Sequence, residues 1–134
     1  MKSLYQIVSI ATSALLVYLF SQAFFFSDSF VEGFGLETSI ATQVLMPRAS
    51  MFMLGLAVLM FSSRNLPASN TRQFICLSIG ITFFGCACLG TYELIKGTVN
   101  SSILVAISIE TILWILYGII FIKDKLSSRA LVLG

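Results

Sequence analysis

Residues 101–122 read SSILVAISIETILWILYGIIFI, an apolar run whose single charged residue is Glu110. A helix that crosses the hydrocarbon core of a bilayer needs about 20 mostly apolar residues, so this run is long enough to span a membrane. Three similar runs precede it. The sequence therefore predicts an all-α protein, an integral membrane four-helix bundle in which residues 1–134 form a single transmembrane domain. The predicted spans are residues 4–26, 39–61, 74–94 and 101–122.

Composition excludes other classes of protein. Only 10% of the 134 residues are charged and 57% are hydrophobic, whereas soluble domains carry about a quarter charged residues. Four spans of about 20 residues use about 80 positions, which leaves no space for a separate soluble catalytic domain or nucleotide-binding fold. The net charge of +2 and the lack of a long basic run argue against nucleic acid as a partner.

The residue types also limit the chemistry. The chain has no histidine, which removes the commonest metal ligand and the usual proton relay. Cys76, Cys86 and Cys88 lie in one apolar segment, and the last two are about 200° apart around a helix, so they cannot face one metal or each other. We therefore expect packing cysteines, and we predict no metal site, no cofactor, no catalytic residue and no enzymatic activity.

The first apolar run has two interpretations. Ser21-Gln22-Ala23 resembles the small-x-small site at which a signal peptide is cleaved. The apolar stretch continues through Phe26, however, and is longer than the apolar region of about 7–15 residues found in signal peptides. We favour a retained first helix.

Lysine and arginine indicate the orientation, because short cytoplasmic loops are enriched in both. With the N-terminus inside, the opposite side holds only Arg48 and Lys96, and the first loop on that side is acidic. The prediction is therefore N-in/C-in. The basic residues on the inner side are Lys2, Arg64, Arg72, Lys123, Lys125 and Arg129.

Two charges fall inside predicted spans. Glu110 lies in the fourth span and Arg48 in the second, and each costs about 2.5–3.5 kcal/mol near the centre of a bilayer. If these helices begin near Ser39 and Ser101, both charges lie about nine residues, or about 13 Å, from the same face. We therefore predict an ion pair between Arg48 and Glu110.

This pair depends on where the second helix begins. A start near Ser39, with Thr38 or Ser39 as the cap, makes Pro47 a kink inside a long helix, which membrane bundles tolerate. Pro47 also suits the first turn of a helix. In that case the span would be barely long enough, and Arg48 would meet Glu93 instead. We favour the longer helix.

The pair has a structural and a functional interpretation. It either fixes which helices pack together, or it forms the polar floor of an outward-facing pocket for a head group or ion. Helical spacing places small and aromatic residues on the same face as Glu110, and this face fits both interpretations. Its members are Ser102, Ala106, Glu110, Trp114 and Tyr117. The candidate ligand-binding residues are Arg48, Glu110, Trp114, Tyr117 and Glu93.

Small residues predict where helices approach closely. In the third span, Cys76, Gly80, Ala87 and Thr91 recur near steps of four and seven residues. Gly55 is expected to serve the same purpose in the second span.

Two segments carry a resemblance to a known family. The acidic loop VEGFGL at residues 31–36 and the segment RASMFMLGL at residues 48–56 resemble the DoxX-like group of small bacterial inner-membrane proteins. Within that group, the chain is most similar to uncharacterised four-helix relatives. The resemblance implies a multi-pass protein of a cell membrane, the bacterial inner membrane, and it implies no catalytic residues.

Three classes of function remain. The first is a membrane protein that acts as an accessory subunit or binds a lipid or hydrophobic small molecule in an outward-facing pocket near Arg48 and Glu110. Its expected partners are the bilayer, such a ligand, and a second copy or another membrane protein. The second is a small proton-coupled transporter of a hydrophobic compound that uses Glu110. The third, an intramembrane enzyme with Glu110 as acid or base, lacks a second deep carboxylate or a histidine.

Overall fold

A computed structural model describes the backbone of residues 3–133 and the side chains of residues 3–127. Four of its helices are long and apolar enough to cross a membrane, which confirms the predicted number of long helices. A short helix, α2, lies after the first span, where the sequence predicted only an acidic loop. The helices are α1 (Leu4–Phe25), α2 (Ser27–Gly33), α3 (Ile40–Ser63), α4 (Asn70–Lys96) and α5 (Ile103–Leu133).

The long helices run alternately up and down, so the molecule has two ends. The N-terminal end holds the start of α1 and α4 and the end of α3, and Lys123 of α5 lies there. The opposite end carries α2 and is called the α2 end. Arg129, which contributes to the predicted orientation, lies outside the residues whose side chains are described.

Serine side chains cap three of the helices. Ser3, Ser39 and Ser69 each precede a helix and accept a hydrogen bond from a backbone N–H three residues later, as N-caps do. The Ser39 cap accepts from the N–H of Thr42 at 3.2 Å and places Pro47 inside α3. The longer second helix is therefore confirmed, and a start at Pro47 is wrong.

The helices pack as two pairs. α1 packs closely against α3, and α4 packs closely against α5, while α1 and α5 form the main join between the pairs. α2 covers part of α1 and α3. Much of the outer surface of the long helices is apolar, as at Phe52, Ile81 and Ile95, which are 77%, 62% and 82% exposed. An apolar surface of this extent suits contact with lipid.

The closest packing lies in the half of the bundle nearer the N-terminal end. All four long helices contribute to one core there, in which Met60 and Tyr117 are fully buried. Tyr117 Oη donates a hydrogen bond of 2.8 Å to Thr12 Oγ1 across the α1–α5 join. The other core residues are Tyr5, Val8, Cys76, Ile79, Phe83, Leu113 and Ile120.

Small residues of α4 pack as the sequence predicted, with exceptions. Cys76, Gly80 and Ala87 are buried, whereas Thr91 is exposed. The expectation for Gly55 is wrong, because a Cβ built on it meets nothing within 4 Å. Gly55 is exposed on the outer surface of α3, so no other helix approaches it.

Candidate functional site

A cavity of about 360 Å³ lies inside the α2 end and is called the α2-end cavity. All five helices and both loops at this end contribute to its wall. Eleven of the lining residues carry no charge and two are glutamates. The lining consists of Leu19, Phe30, Phe34, Leu36, Met53, Cys86, Leu89, Gly90, Glu93, Val99, Ile103, Ala106 and Glu110.

The two glutamates come from neighbouring helices. α4 carries Glu93 in its last turn, and α5 carries Glu110 in its first half. Glu93 accepts a hydrogen bond from the hydroxyl of Thr98, in the loop that follows α4. Glu110 is half-buried, and within the described part of the chain its carboxylate has neither an ion-pair partner nor a hydrogen-bond partner. The cavity therefore presents one engaged and one free carboxylate.

The predicted ion pair between Arg48 and Glu110 does not form among the residues whose side chains are described. Arg48 is exposed on α3 and does not line the α2-end cavity. The prediction matched the depths of the two residues along their helices, but it could not include the rotation of each helix about its axis. α3 packs on α1 and α2, while α5 packs on α4 and α1, so the two charged faces do not meet.

The alternative pairing of Arg48 with Glu93 is also wrong in the described part of the chain. Glu93 lines the α2-end cavity with Glu110, whereas Arg48 does not. Of the five candidate ligand-binding residues, Glu93 and Glu110 are therefore the ones that the structure brings together.

The two aromatic candidates lie elsewhere on α5. Trp114 is 41% exposed, and its ring centroid lies 4.9 Å from that of Phe84 on the outer surface. Tyr117 belongs to the core and bonds to Thr12. The predicted single face of α5 thus has three environments, because only Ala106 and Glu110 of that face line the α2-end cavity.

α2 and the loop that follows it form the roof of the cavity. They are held by Asn100, which is not among the candidate site residues predicted from the sequence. Asn100, in the loop between α4 and α5, donates from its backbone N–H to Phe34 O at 2.9 Å and from Nδ2 to Gly33 O at 3.1 Å. Gly35 has a φ of +79°, and a Cβ there would lie 3.2 Å from Asn100 Nδ2. Glycine at this position therefore allows both the turn and the close approach of the two loops.

Aromatic side chains of this roof face the cavity. Phe30 of α2 and Phe34 of the following loop pack edge to face, with ring centroids 5.3 Å apart, and both line the cavity. The sequence showed these residues only as part of an acidic loop. The sequence does contain one relevant pattern, since two glycines lie close to the two aromatic residues: Gly33 and Gly35 beside Phe30 and Phe34. Glycines indicate a turn, but they do not indicate which part of the protein the turn packs against.

Polar groups also meet at the N-terminal end. Arg72 Nε donates to Asp124 Oδ2 at 2.6 Å, and Arg72 Nη2 donates to Asp124 Oδ1. The guanidinium carbon lies 5.1 Å from the centroid of the Tyr5 ring, and Tyr5 Oη donates to Ser63 Oγ at 3.0 Å. This cluster links the four long helices. The sequence placed Arg72 and Asp124 in a loop and a tail and did not pair them.

Neither end presents a metal site in the described residues, since no three His, Cys, Asp or Glu side chains group together there. The chain matches no protein-family model, and no curated protein or solved structure shows significant similarity to it.

Proposed function

We propose that this is a multi-pass membrane protein that binds a lipid-like or other hydrophobic small molecule in the α2-end cavity. The observation that carries the proposal is the cavity itself, in which an apolar wall surrounds the half-buried carboxylate of Glu110. Ligand sites are commonly concave and mostly apolar, with a few polar groups that orient the ligand. The protein acts in this proposal as a binding protein or as an accessory subunit of a larger membrane assembly.

The size of the cavity restricts the ligand. Its volume of about 360 Å³ lies near the lower end of the range of roughly 300–1,000 Å³ for small-molecule sites. A volume of this size favours a compact organic molecule or a single alkyl chain as the group that enters the cavity.

Charge supports an outward location of the cavity in a cell membrane. Arg64, Arg72, Lys123 and Lys125 lie at the N-terminal end, while the α2 end carries an acidic segment that includes Asp28. Basic residues concentrate on the cytoplasmic side of membrane proteins. We therefore propose an N-in/C-in orientation with the cavity in the outer half of the membrane. The DoxX-like resemblance supports the bacterial inner membrane as the location.

Two Ala→Phe variants test whether the cavity binds a ligand. Ala106 lines the cavity, so Ala106→Phe fills part of its volume, whereas Ala49 is exposed on α3 and Ala49→Phe adds the same atoms outside. The probe is the neutral fluorophore N-phenyl-1-naphthylamine, titrated into protein in phosphatidylcholine nanodiscs with empty nanodiscs as the baseline. We expect saturable binding to the wild type and Ala49→Phe, and binding at least about tenfold weaker, or about 1.4 kcal/mol, in Ala106→Phe.

Equal binding to all three proteins, or no saturable binding to any of them, contradicts the proposal. Circular dichroism of each variant establishes that the helices are retained. Native mass spectrometry of gently extracted wild type then identifies a co-purifying small molecule, a second copy or a partner chain, and the same small molecule is expected to be lost from Ala106→Phe.

A specific observation also favours the second candidate, a proton-coupled transporter. Glu110 has no ion-pair partner in the described part of the chain, and an unpaired intramembrane carboxylate is typical of proton pathways. In this case a proton gradient drives movement of a non-titratable hydrophobic fluorophore across proteoliposome membranes, and Glu110→Gln abolishes the movement while the protein stays folded. Gradient-independent behaviour in the wild type contradicts the transporter.

A further inference from the structure

We infer that the α2-end cavity takes an organic cation, namely a protonated amine attached to a compact apolar body. This inference rests on the proposed function and specifies its ligand class. It concerns the charge of the head group, whereas the Ala106→Phe experiment concerns only whether the cavity is a binding site.

The ionisable carboxyl groups of the described cavity wall come from two glutamates, and no basic side chain accompanies them there. The glutamates are Glu93 and Glu110, and no lysine or arginine lines the cavity among the residues whose side chains are described. A charge surrounded by apolar groups is unfavourable unless it is paired. A bound ammonium group offers Glu110 a partner that the described side chains do not supply. The N–H groups of the ammonium make charge-assisted hydrogen bonds that are about twice as strong as neutral ones.

The basic residues at the α2 end are directed elsewhere. Arg48 is exposed on α3, outside the cavity. Lys96 follows Glu93 by less than one helical turn, but its Nζ lies 5.7 Å from the centroid of the Tyr92 ring. Lys96 and Tyr92 do not line the cavity. Because no lysine or arginine lines the cavity in the described part of the chain, charge complementarity favours a cation over a neutral ligand and disfavours an anion.

The remainder of the wall fits the apolar body of such a ligand. Phe30 and Phe34 contribute aromatic surface from the roof, and aromatic faces attract cations as well as apolar groups. Leu19, Met53 and Leu89 supply aliphatic surface from three different helices. Glu93 and Glu110 belong to α4 and α5, so the ammonium group is expected on that side of the cavity.

Three competitors with a chain of ten carbons test the inference: decylamine, 1-decanol and decanoate. Each compound is titrated into wild-type protein that holds N-phenyl-1-naphthylamine in phosphatidylcholine nanodiscs at neutral pH, and the loss of bound fluorophore is measured. We expect half-displacement by decylamine at a concentration about tenfold lower than by 1-decanol, with decanoate the weakest. Glu110→Gln is expected to remove most of the preference for decylamine over 1-decanol, and Glu93→Gln to reduce it.

Glu37→Gln is the matched control, because Glu37 is an exposed carboxylate at the same end that does not line the cavity. It removes one negative charge and is expected to keep the wild-type preference. If 1-decanol or decanoate competes as well as decylamine in the wild type, the cation assignment is overturned while fluorophore binding still supports the cavity as a site. A preference that survives in both cavity variants, or that Glu37→Gln removes equally, also overturns it.

Discussion

Arg72 and Asp124 form an ion pair that links two of the long helices. Their side chains are 11% and 6% exposed, and they join α4 to α5 at the N-terminal end. Arg72 Nη1 also donates to Leu66 O at 3.0 Å, which holds the loop between α3 and α4 against the same group. A guanidinium that is partly removed from water depends on the carboxylate opposite, because the loss of one partner leaves a buried charge uncompensated.

Asp124→Asn is therefore expected to lower the free energy of unfolding by about 3 kcal/mol. The substitution keeps the shape of the side chain but removes the charge that balances Arg72. Titration with sodium dodecyl sulfate in mixed micelles, followed by circular dichroism, measures the change. Glu37→Gln, on an exposed carboxylate, is expected to change stability by less than about 0.5 kcal/mol. Similar losses in the two variants would show that Arg72 does not depend on Asp124.

Residue identity alone did not predict this pair. The sequence placed Arg72 in a polar connection and Asp124 in a basic tail, and neither position indicated a partner for the other. In the structure α4 begins at Asn70 and α5 continues to Leu133, so both residues lie on helices. The two side chains meet because both helices extend past their apolar runs. Hydropathy does not indicate the length of such an extension, so the contact could not be predicted from it.

At the scale of the elements, Gly90 is a point of tight contact between α4 and α5. A Cβ built on Gly90 would lie 3.0 Å from Ile107 Cγ1 and 3.6 Å from Ile103 Cδ1. Ile107 is β-branched and has little rotamer freedom in a helix, so it cannot easily move aside. By contrast, Gly85 in the same helix meets nothing within 4 Å.

Gly85→Ala and Gly90→Ala are therefore expected to change stability in opposite directions. Alanine is favoured over glycine inside a helix by about 0.5–1 kcal/mol, and Gly85→Ala should gain stability of this size. Gly90→Ala should lose about 1 kcal/mol, because the cost of overpacking exceeds the gain in helix propensity. The same detergent titration measures both. Equal gains would mean that α4 and α5 can separate at Gly90 without cost.

α2 and its loop show how far the sequence predicts an element. Acidic residues at 28–37 predicted a loop on the side opposite the termini, and a loop is present there after Gly33. The helix Ser27–Gly33 and the hydrogen bonds from Asn100 to Gly33 and Phe34 were not predicted. A helix of seven residues has too few turns for a clear periodic pattern, and the contact joins positions that are 67 residues apart.

The molecule as a whole combines a close-packed half and an open half. The core and the Arg72–Asp124 pair lie toward the N-terminal end, whereas the α2-end cavity separates the helices at the other end. Binding sites are commonly regions that are less stable than the rest of a protein. The open half is therefore expected to carry function, and the close-packed half to hold the helices in place.

Glu110→Leu tests this division of the molecule. A carboxylate without a partner in a membrane bundle is unfavourable, so its removal is expected to raise the free energy of unfolding by about 1 kcal/mol, as substitutions at functional sites often do. The detergent titration without ligand measures the effect, and Glu37→Leu is the exposed control. A clear loss of stability in Glu110→Leu would instead indicate that the carboxylate has a structural role.

The candidate site was predicted in part. Charge scarcity made Glu110 conspicuous, and Glu93 was included as an alternative partner near the same end. Both line the cavity. Arg48 was included because its distance from the end of its helix matches that of Glu110, and this match does not determine which way a side chain points. Trp114 and Tyr117 were included because of their helical spacing. This spacing gives the position of each residue around its own helix, but it does not show which neighbouring helix lies on that side.

The sequence alone therefore determined the number of long apolar helices, the limits of their apolar runs and the approximate depth of each charge along its helix. These properties follow from local composition and from the constant rise of about 1.5 Å per residue. Only the tertiary structure decided that α1 pairs with α3 and α4 with α5, that Arg72 meets Asp124, and that Glu93 and Glu110 share a cavity. The rotation of each helix about its axis decides these contacts, and that rotation depends on the simultaneous packing of all the helices.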